Sequence, residues 1–187
     1  IFKKEWFIKR SFETEYVARY ISWDTAMSES NNAAYSSCVV GELTPDYRLF
    51  IRDVWRGRLA FTELSQKIME IANKYRYNLR GVIIENKASG ISLLQFLKQS
   101  TPEWLSEIVT PFNPPSGKES RAYAASLWCQ KGMVVLPPPA NETSWLYDFE
   151  DELFQFPNSK FKDQTDAFNQ LVIYLEHYIA EGYRAIS

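Results

Sequence analysis

The sequence predicts an α/β domain, with one mixed β-sheet flanked by helices. Two observations support this prediction. Three strand-like segments follow one another near the start of the chain, and strand-like and helix-like segments alternate after them. Short consecutive strands favour an antiparallel meander, whereas alternation with helices favours parallel strands. At 187 residues the chain fits one domain, residues 1–187, with its own buried core.

The meander is predicted from three segments that are rich in β-branched and aromatic residues. These segments are YVARYISWD, YSSCVVGEL and YRLFIRDVWRGRL, and the turn TPDY joins the last two. Residues 62–76 then place apolar side chains at helical spacing, with Thr62 as the predicted N-cap. GVIIE follows as a short apolar strand that ends in Glu85.

The second half of the chain continues the alternation of helices and strands. A helix over SGISLLQFLKQS precedes a strand near EIVTPF, the loop NPPSGK and a helix ESRAYAASLWCQKG that ends at Gly132. MVVLPPP is predicted to be an edge strand because prolines stop it. TSWLYDFEDELFQF and DQTDAFNQLVIYLEHYIAEG are predicted as the last two helices, the second ending at Gly182.

Composition excludes several classes of function. No apolar run approaches the ~20 residues that cross a bilayer, so we expect no membrane partner. Cys38 and Cys129 lack CxxC spacing, which favours unpaired thiols in a reducing cytoplasm. His177 is the only histidine, which argues against a zinc cluster and a histidine-dependent triad. The net charge of −2 does not by itself indicate a nucleic-acid binder.

Four carboxylates occur where predicted elements begin or end. Asp24 ends the first strand, Glu85 ends a later strand, and Asp163 and Asp166 share one face at the start of the last helix. If both strands are central, these acids converge and repel one another. Hard divalent cations such as Mg²⁺ or Mn²⁺ are the natural counter-charge. Two such ions about 3.5–4 Å apart stabilise both oxygens of a phosphodiester displacement.

We therefore predict that Asp24, Glu85, Asp163 and Asp166 are metal ligands and catalytic residues. Each acid also has a structural interpretation when it is taken alone. Asp24 can cap a loop, Glu85 can pair with Lys87, and Asp163 can cap a helix. The ordered set on these elements favours the metal site over the structural interpretation.

The residues around the acids resemble the motifs of a known family. SWDTA and VIIENKASG on strands, and FKDQTDAF on a helix, are similar to the three acidic motifs of the RNase H-like nuclease domain of phage terminase large subunits. SGKESRAYAASLWCQKGMVVLP is similar to a further terminase stretch. The resemblance extends from Phe2 to Gly182. In the last motif, Phe161 and Lys162 stand where the family commonly has a His and an Asp.

The resemblance implies an RNase H-like fold and a two-metal endonuclease that cleaves concatemeric viral DNA during genome packaging. It implies double-stranded DNA as substrate, the portal protein and the small terminase subunit as partners, and the host cytoplasm as location. IFKKEWF resembles the join after the packaging ATPase domain, so we expect a C-terminal fragment of a longer chain. Consistently, the sequence contains no GxxxxGK[ST] loop for ATP.

Basic residues near the acids are candidates for phosphate contacts. Positive charge clusters in RDVWRGR, KYRYNLR and KESR. Lys87, Lys118 and Arg121 are the predicted DNA-binding residues, since contacts of this kind are independent of base sequence and sensitive to salt. Arg76 and Arg80 are expected to lie on a solvated face.

Three alternatives stay open. Holliday-junction resolvases of the same superfamily share the order of the acids, although SRAYAASLWCQKGMVVLP favours a terminase. Glu85 and Lys87 also form the ExK pattern of restriction-endonuclease-like folds, which leaves Asp163 and Asp166 unexplained. The third alternative is a non-catalytic module that binds DNA or docks on the portal, with structural acids.

Overall fold

Seven strands and six α-helices form within residues 1–11, 15–26 and 34–186, the part of the chain that this computed structural model describes. The strands are β1 (Ile8–Lys9), β2 (Ala18–Asp24), β3 (Ser36–Leu43), β4 (Leu49–Gly57), β5 (Leu79–Glu85), β6 (Val109–Phe112) and β7 (Val134–Leu136). The α-helices are α1 (Phe61–Lys74), α2 (Ala88–Ser100), α3 (Glu103–Ser106), α4 (Lys118–Gln130), α5 (Leu146–Gln155) and α6 (Asp163–Ile186).

The strands form one mixed sheet in the order β1-β7-β4-β3-β2-β5-β6. β2, β3 and β4 are the predicted antiparallel meander, and the register of the first pair runs from Ala18 opposite Leu43 to Asp24 opposite Ser37. β5 joins the other side of β2 in parallel, and β6 joins β5 in parallel. The predicted mixed α/β sheet is therefore confirmed.

Several details differ from the sequence predictions. The edge position predicted for MVVLPPP is wrong, because β7 pairs in parallel with β4 on one side and with the two-residue β1 on the other. Thr62 is not the N-cap of α1, which begins at Phe61 after Ala60. α6 extends past Gly182, and the short helix α3 was not predicted.

Side chains of the central strands alternate between two apolar layers. On β5, Val82 and Ile84 pack in the layer that contains the apolar side chains of α1 and α2. Ile83 packs in the other layer, which contains the apolar side chains of α4, α5 and α6. Because the side-chain repeat of a strand is two residues, Glu85 follows Ile83 onto the α6 side. On β2 the same alternation puts Trp23 in the α1 layer and Asp24 on the α6 side.

Buried polar contacts hold α6 against the centre of the sheet. The hydroxyl of Ser22 donates to the carbonyl oxygen of Ala167 at 2.7 Å, and Gln170 Nε2 donates to the carbonyl oxygen of Trp23 at 3.1 Å. Gly41 allows the helix to approach β3, since a Cβ atom there would lie 2.7 Å from a methyl carbon of Leu171. These contacts place the first turn of α6 beside the end of β2.

Among the residues that the structure describes, no helix is both long enough and apolar enough to cross a membrane. Cys38 and Cys129 are both buried and unpaired, as the sequence predicts.

Candidate functional site

Asp24 and Glu85 lie side by side at the carboxyl ends of two adjacent parallel strands. The register of β2 and β5 pairs Trp23 with Ile84, so the two acids follow at the same level. Each carboxylate side chain is only 13% exposed. The sheet itself therefore brings the first two predicted ligands together.

One ammonium group is shared by these two acids. Lys87 Nζ donates to Asp24 Oδ1 at 2.8 Å and lies 3.2 Å from Glu85 Oε2. Burial lowers the pKa of Lys87, but the charges and hydrogen bonds of the two carboxylates outweigh burial and raise it. The largely buried guanidinium of Arg121 lies 3.7 Å from Glu85 Oε1 and adds a second positive charge.

Asp166 reaches the same place from the first turn of α6. Lys118 Nζ, at the start of α4, donates to Asp166 Oδ2 at 2.7 Å. Burial raises the pKa of Asp166, and Lys118 opposes that rise. Burial also raises the pKa of Asp24 to about 6; Lys87 lowers it and the charge of Asp166 raises it further. Asp24 and Asp166 are thus close enough to repel each other.

Asp163 has a different partner. The guanidinium of Arg56 on β4 donates two hydrogen bonds to the carboxylate of Asp163, from Nη2 to Oδ1 at 2.6 Å and from Nε to Oδ2 at 3.1 Å. The same Nη2 donates to Glu152 Oε1 at 2.6 Å. Both carboxylates are nearly buried, so this ion pair fixes Asp163 in the wall of the site.

The acids face a cavity of about 400 Å³. Asp24, Asp163 and Asp166 line it, together with Lys87 and Lys118. Glu85 is linked to the cavity through Lys87, which contacts both strand-end acids. Three of the four predicted ligands therefore line one opening, and Lys87 connects the fourth, Glu85, to it.

A larger cleft, of about 820 Å³, lies along β4, α1 and α5. Several of its charged side chains are already paired with neighbours. Arg52 pairs with buried Glu42, and the hydroxyl of Tyr75 donates to Asp53 at 2.5 Å. The smaller cavity contains the clustered acids, so its chemistry marks it as the candidate site despite its size.

Both the sequence and the fold are similar to those of known proteins. A family model described as the Terminase RNaseH-like domain matches residues 21–175. The chain belongs to this family. The resemblance found in the acidic motifs is confirmed, and the matched range contains all four acids. Comparison with curated proteins found no match.

Solved structures show the same fold for this terminase-family domain. The large terminase of a thermophilic bacteriophage, in complex with ADP, has a TM-score of 0.64 at 12% identity over 91% of this chain and 42% of that chain. The chain thus spans less than half the length of that terminase. The Mn-soaked human cytomegalovirus terminase nuclease domain has a TM-score of 0.57 at 9% identity, covering 94% and 95% of the two chains. The fowlpox virus Holliday junction resolvase has a TM-score of 0.51 at 17% identity, covering 86% and 99%.

Carboxylate oxygens of Asp24, Glu85 and Asp166 form the donor set that a divalent cation would meet in the terminase-family domain. Within the described ranges, no group of three or more His, Cys, Asp or Glu side chains is already arranged around one point as a metal site. Ammonium groups of Lys87 and Lys118 contact the carboxylates in that arrangement. The donors themselves are nearly buried carboxylate oxygens, which suit Mg²⁺ or Mn²⁺. The raised pKa of Asp24 indicates that Lys87 does not fully offset the cost of the buried charge.

The predicted DNA-binding residues lie among the acids. Lys87, Lys118 and Arg121 contact Asp24, Glu85 or Asp166, so their part in DNA binding stays a prediction. Sequence reasoning missed Tyr35 and Lys160 beside the cavity, and it noted Phe161 and Lys162 only as departures from the family motif. The pattern KFK immediately before Asp163 is the signal that points to three of them.

Proposed function

We propose that this terminase-family domain is a metal-dependent endonuclease that hydrolyses phosphodiester bonds in double-stranded DNA. The placement of Asp24, Glu85 and Asp166 on β2, β5 and α6 carries this proposal. Asp24 and Asp166 line one cavity, and Lys87 of the same cavity contacts both Asp24 and Glu85. Asp163 is the fourth acid of the proposed site. The Mn-soaked cytomegalovirus terminase nuclease domain, which shares the fold, supports the choice of a divalent cation.

In this proposal Asp24, Glu85 and Asp166 would hold two ions of Mg²⁺ or Mn²⁺, with Asp163, which Arg56 orients in the cavity wall, as the fourth ligand. When bound, the two ions stabilise the attacking and leaving oxygens of the displacement. The protein fixes the carboxylates on paired strands and on the first turn of a packed helix. That rigidity means that little motion is needed to present them to a phosphate.

The lysines supply the second part of the proposed mechanism. Lys87 and Lys118 are flexible side chains whose ammonium groups already lie within 2.8 Å of carboxylate oxygens. When the acids take another counter-charge, these ammonium groups become available to a phosphate of the substrate. Arg121 is nearly buried and contacts Glu85 at longer range, so it orients that carboxylate.

The biological setting is also a proposal. We infer that the domain cleaves concatemeric viral DNA during packaging, in the host cytoplasm, as part of a longer chain with an ATPase domain. Support comes from the large terminase of the thermophilic bacteriophage, which was bound to ADP and of which this chain matches 42%. The portal protein and the small terminase subunit are the proposed partners.

Plasmid cleavage tests the nuclease proposal. The purified chain should nick and linearise supercoiled plasmid in Mn²⁺ or Mg²⁺ without ATP, and with little sequence preference. Asp24→Asn should lose at least about 100-fold in rate, since a shared charge at the reacting phosphate is worth several kcal/mol. Asp148→Asn, which changes an exposed acid of α5, is the matched control and should cleave like the parent.

Two results would contradict the nuclease proposal. One is full cleavage in excess EDTA, and the other is full cleavage by Asp24→Asn. A single discrete cut site would contradict only the expected lack of sequence preference. If no metal supports cleavage, the acids are structural, and a non-catalytic DNA-binding or portal-docking module becomes the better description.

A Holliday-junction resolvase is the second candidate function. The fold similarity to the fowlpox resolvase covers 99% of that protein, which favours this alternative over other nucleases. Cleavage of a four-way junction and of a linear duplex with the same arm sequences distinguishes the two functions. A preference of tenfold or more for the junction would favour the resolvase.

A further inference from the structure

An aromatic–basic surface lies beside the acids at the cavity. It consists of Tyr35, Arg58, Lys160, Phe161 and Lys162. The rings of Tyr35 and Phe161 meet edge to face, with centroids 5.0 Å apart and planes at 79°. Lys160, Phe161 and Lys162 line the same cavity as Asp24, Asp163 and Asp166.

The two rings carry cations on their faces. The guanidinium carbon of Arg58 lies 4.1 Å from the ring centroid of Tyr35, and Lys160 Nζ lies 5.2 Å from that of Phe161. Arg58, Lys160 and Lys162 are exposed, whereas both rings are half-buried. Such stacking fixes the orientation of a cation relative to the ring.

Neighbouring cations form ion pairs with the acids, as Lys118 does with Asp166. Arg56 also stacks on both rings, but its guanidinium contacts Asp163 and Glu152. In contrast, Lys160 and Lys162 form no ion pair with the acids of the described ranges. A positive field thus remains on one side of an acidic cavity that would otherwise repel a polyanion.

We propose that this surface binds backbone phosphates of duplex DNA next to the bond that is cleaved. The inference rests on the proposed nuclease function and adds the path of the substrate across the domain. A strand that places one phosphate at the acids continues over Lys160 and Lys162, which share the cavity wall. Because cations cover the ring faces, the surface favours phosphate contacts over base stacking.

Salt-dependent DNA binding tests the surface. The triple variant Arg58→Ala, Lys160→Ala, Lys162→Ala is compared with its parent, both in an Asp24→Asn background that prevents cleavage. Fluorescence anisotropy with a labelled duplex of about 30 bp in Mg²⁺ measures affinity over a range of salt concentrations. The triple variant should bind at least tenfold more weakly at low salt. Its salt slope should fall by about 2 to 3, because each lost phosphate contact removes about 0.9.

Arg76→Ala is the matched control. Arg76 is an exposed arginine that stacks 4.2 Å over the ring of Trp104, and it precedes β5, at the opposite end of that strand from Glu85. Its variant should bind DNA like the parent. If the triple variant fails to fold, the exposed pair Lys160→Glu, Lys162→Glu should weaken binding even more strongly, with an unchanged melting temperature.

The outcomes separate this inference from the nuclease proposal. If the unsubstituted chain cleaves plasmid while the triple variant keeps its affinity and salt slope, the proposed surface is overturned and the nuclease proposal stands. If the triple variant has a reduced salt slope but the unsubstituted chain does not cleave plasmid, the surface is supported and the nuclease proposal is rejected. Equal losses of DNA affinity in the triple variant and in Arg76→Ala would also overturn the surface, because DNA binding would then not depend on these particular residues.

Discussion

Asp24 and Glu85 end adjacent parallel strands at the same level and share the ammonium group of Lys87, which lies within 3.2 Å of an oxygen of each acid. Carboxylates this close repel each other unless a cation stands with them. The distance between the acids is set by backbone pairing and needs no flexible loop. This relationship leads to three expectations for the protein without and with metal, and the ion pairs of Arg56 lead to a fourth.

Replacing Asp24 by Asn should leave the melting temperature of the metal-free protein unchanged or raise it at pH 7.5. Burial raises the pKa of Asp24 to about 6, above about 3.9 in an unfolded chain. The ionised carboxylate therefore destabilises the fold at pH 7.5. As the pH falls through 6 towards 4, the folded chain takes up the proton first and that destabilisation disappears.

Thermal unfolding of parent and Asp24→Asn in EDTA from pH 4.5 to 8 measures this effect. The advantage of the variant should shrink as the pH falls below 6, while the loss of other ion pairs affects both proteins equally. A variant that melts several degrees below the parent at pH 7.5 would mean that Asp24 stabilises the fold.

Divalent metal should stabilise the parent more than it stabilises Asp24→Asn. At ten times the dissociation constant, binding adds about 1.4 kcal/mol to the free energy of unfolding. For a chain of this size that is about 3–6 °C in melting temperature. A titration with Mn²⁺ checks it, and Asp148→Asn should gain as much as the parent. Equal gains for parent and Asp24→Asn would remove Asp24 from the ligands.

Lys87→Met should destabilise the metal-free protein and increase its response to metal. The substitution leaves Asp24 and Glu85 without the cation they share, so their repulsion lowers the melting temperature in EDTA. Mn²⁺ then binds without competition from an ammonium group, and its stabilisation exceeds that of the parent. Lys98→Met, at an exposed position on α2, controls for loss of a lysine. An unchanged melting temperature in EDTA would argue against the shared contact.

Arg56→Gln should be strongly destabilising. It leaves Asp163 and Glu152 nearly buried without their cation, which costs about 3–5 kcal/mol and lowers the melting temperature on the order of 10 °C. Arg10→Gln removes only a more exposed ion pair with Asp46 and should have little effect. Adding Asp163→Asn and Glu152→Gln to Arg56→Gln should restore part of the loss. A loss below about 2 °C in Arg56→Gln would contradict this role.

The sheet could be predicted from the sequence because its central strands and long helices have clear periodic patterns. β1 could not be predicted, because two residues, Ile8 and Lys9, are too few to show a periodic pattern. They form a strand only through their pairing with β7, which lies more than 120 residues later in the chain. That pairing also explains why the prolines after Leu136 wrongly suggested an edge. The four-residue helix α3 is too short for helical periodicity.

The acids of the candidate site could be predicted, and so could the presence of Lys87, Lys118 and Arg121 near them, but the cation that pairs with Asp163 could not. Strand ends and a first helical turn are visible in sequence, so the convergence of Asp24 and Glu85 follows from parallel pairing. The ion pair between Arg56 and Asp163 joins residues that are 107 positions apart in the sequence. It depends on the register of β3 and β4, which puts Arg56 opposite Ser37. Such a contact has no local signature.

A crystal structure after soaking in Mn²⁺, with anomalous diffraction measured at the manganese edge, tests the central claim most directly. We expect manganese peaks bound by carboxylate oxygens of Asp24, Glu85 and Asp166, with the Lys87 ammonium moved away from at least one of the two strand-end acids. Manganese that is absent from this cavity at saturating concentration, or bound elsewhere while Lys87 still bridges Asp24 and Glu85, would contradict the account.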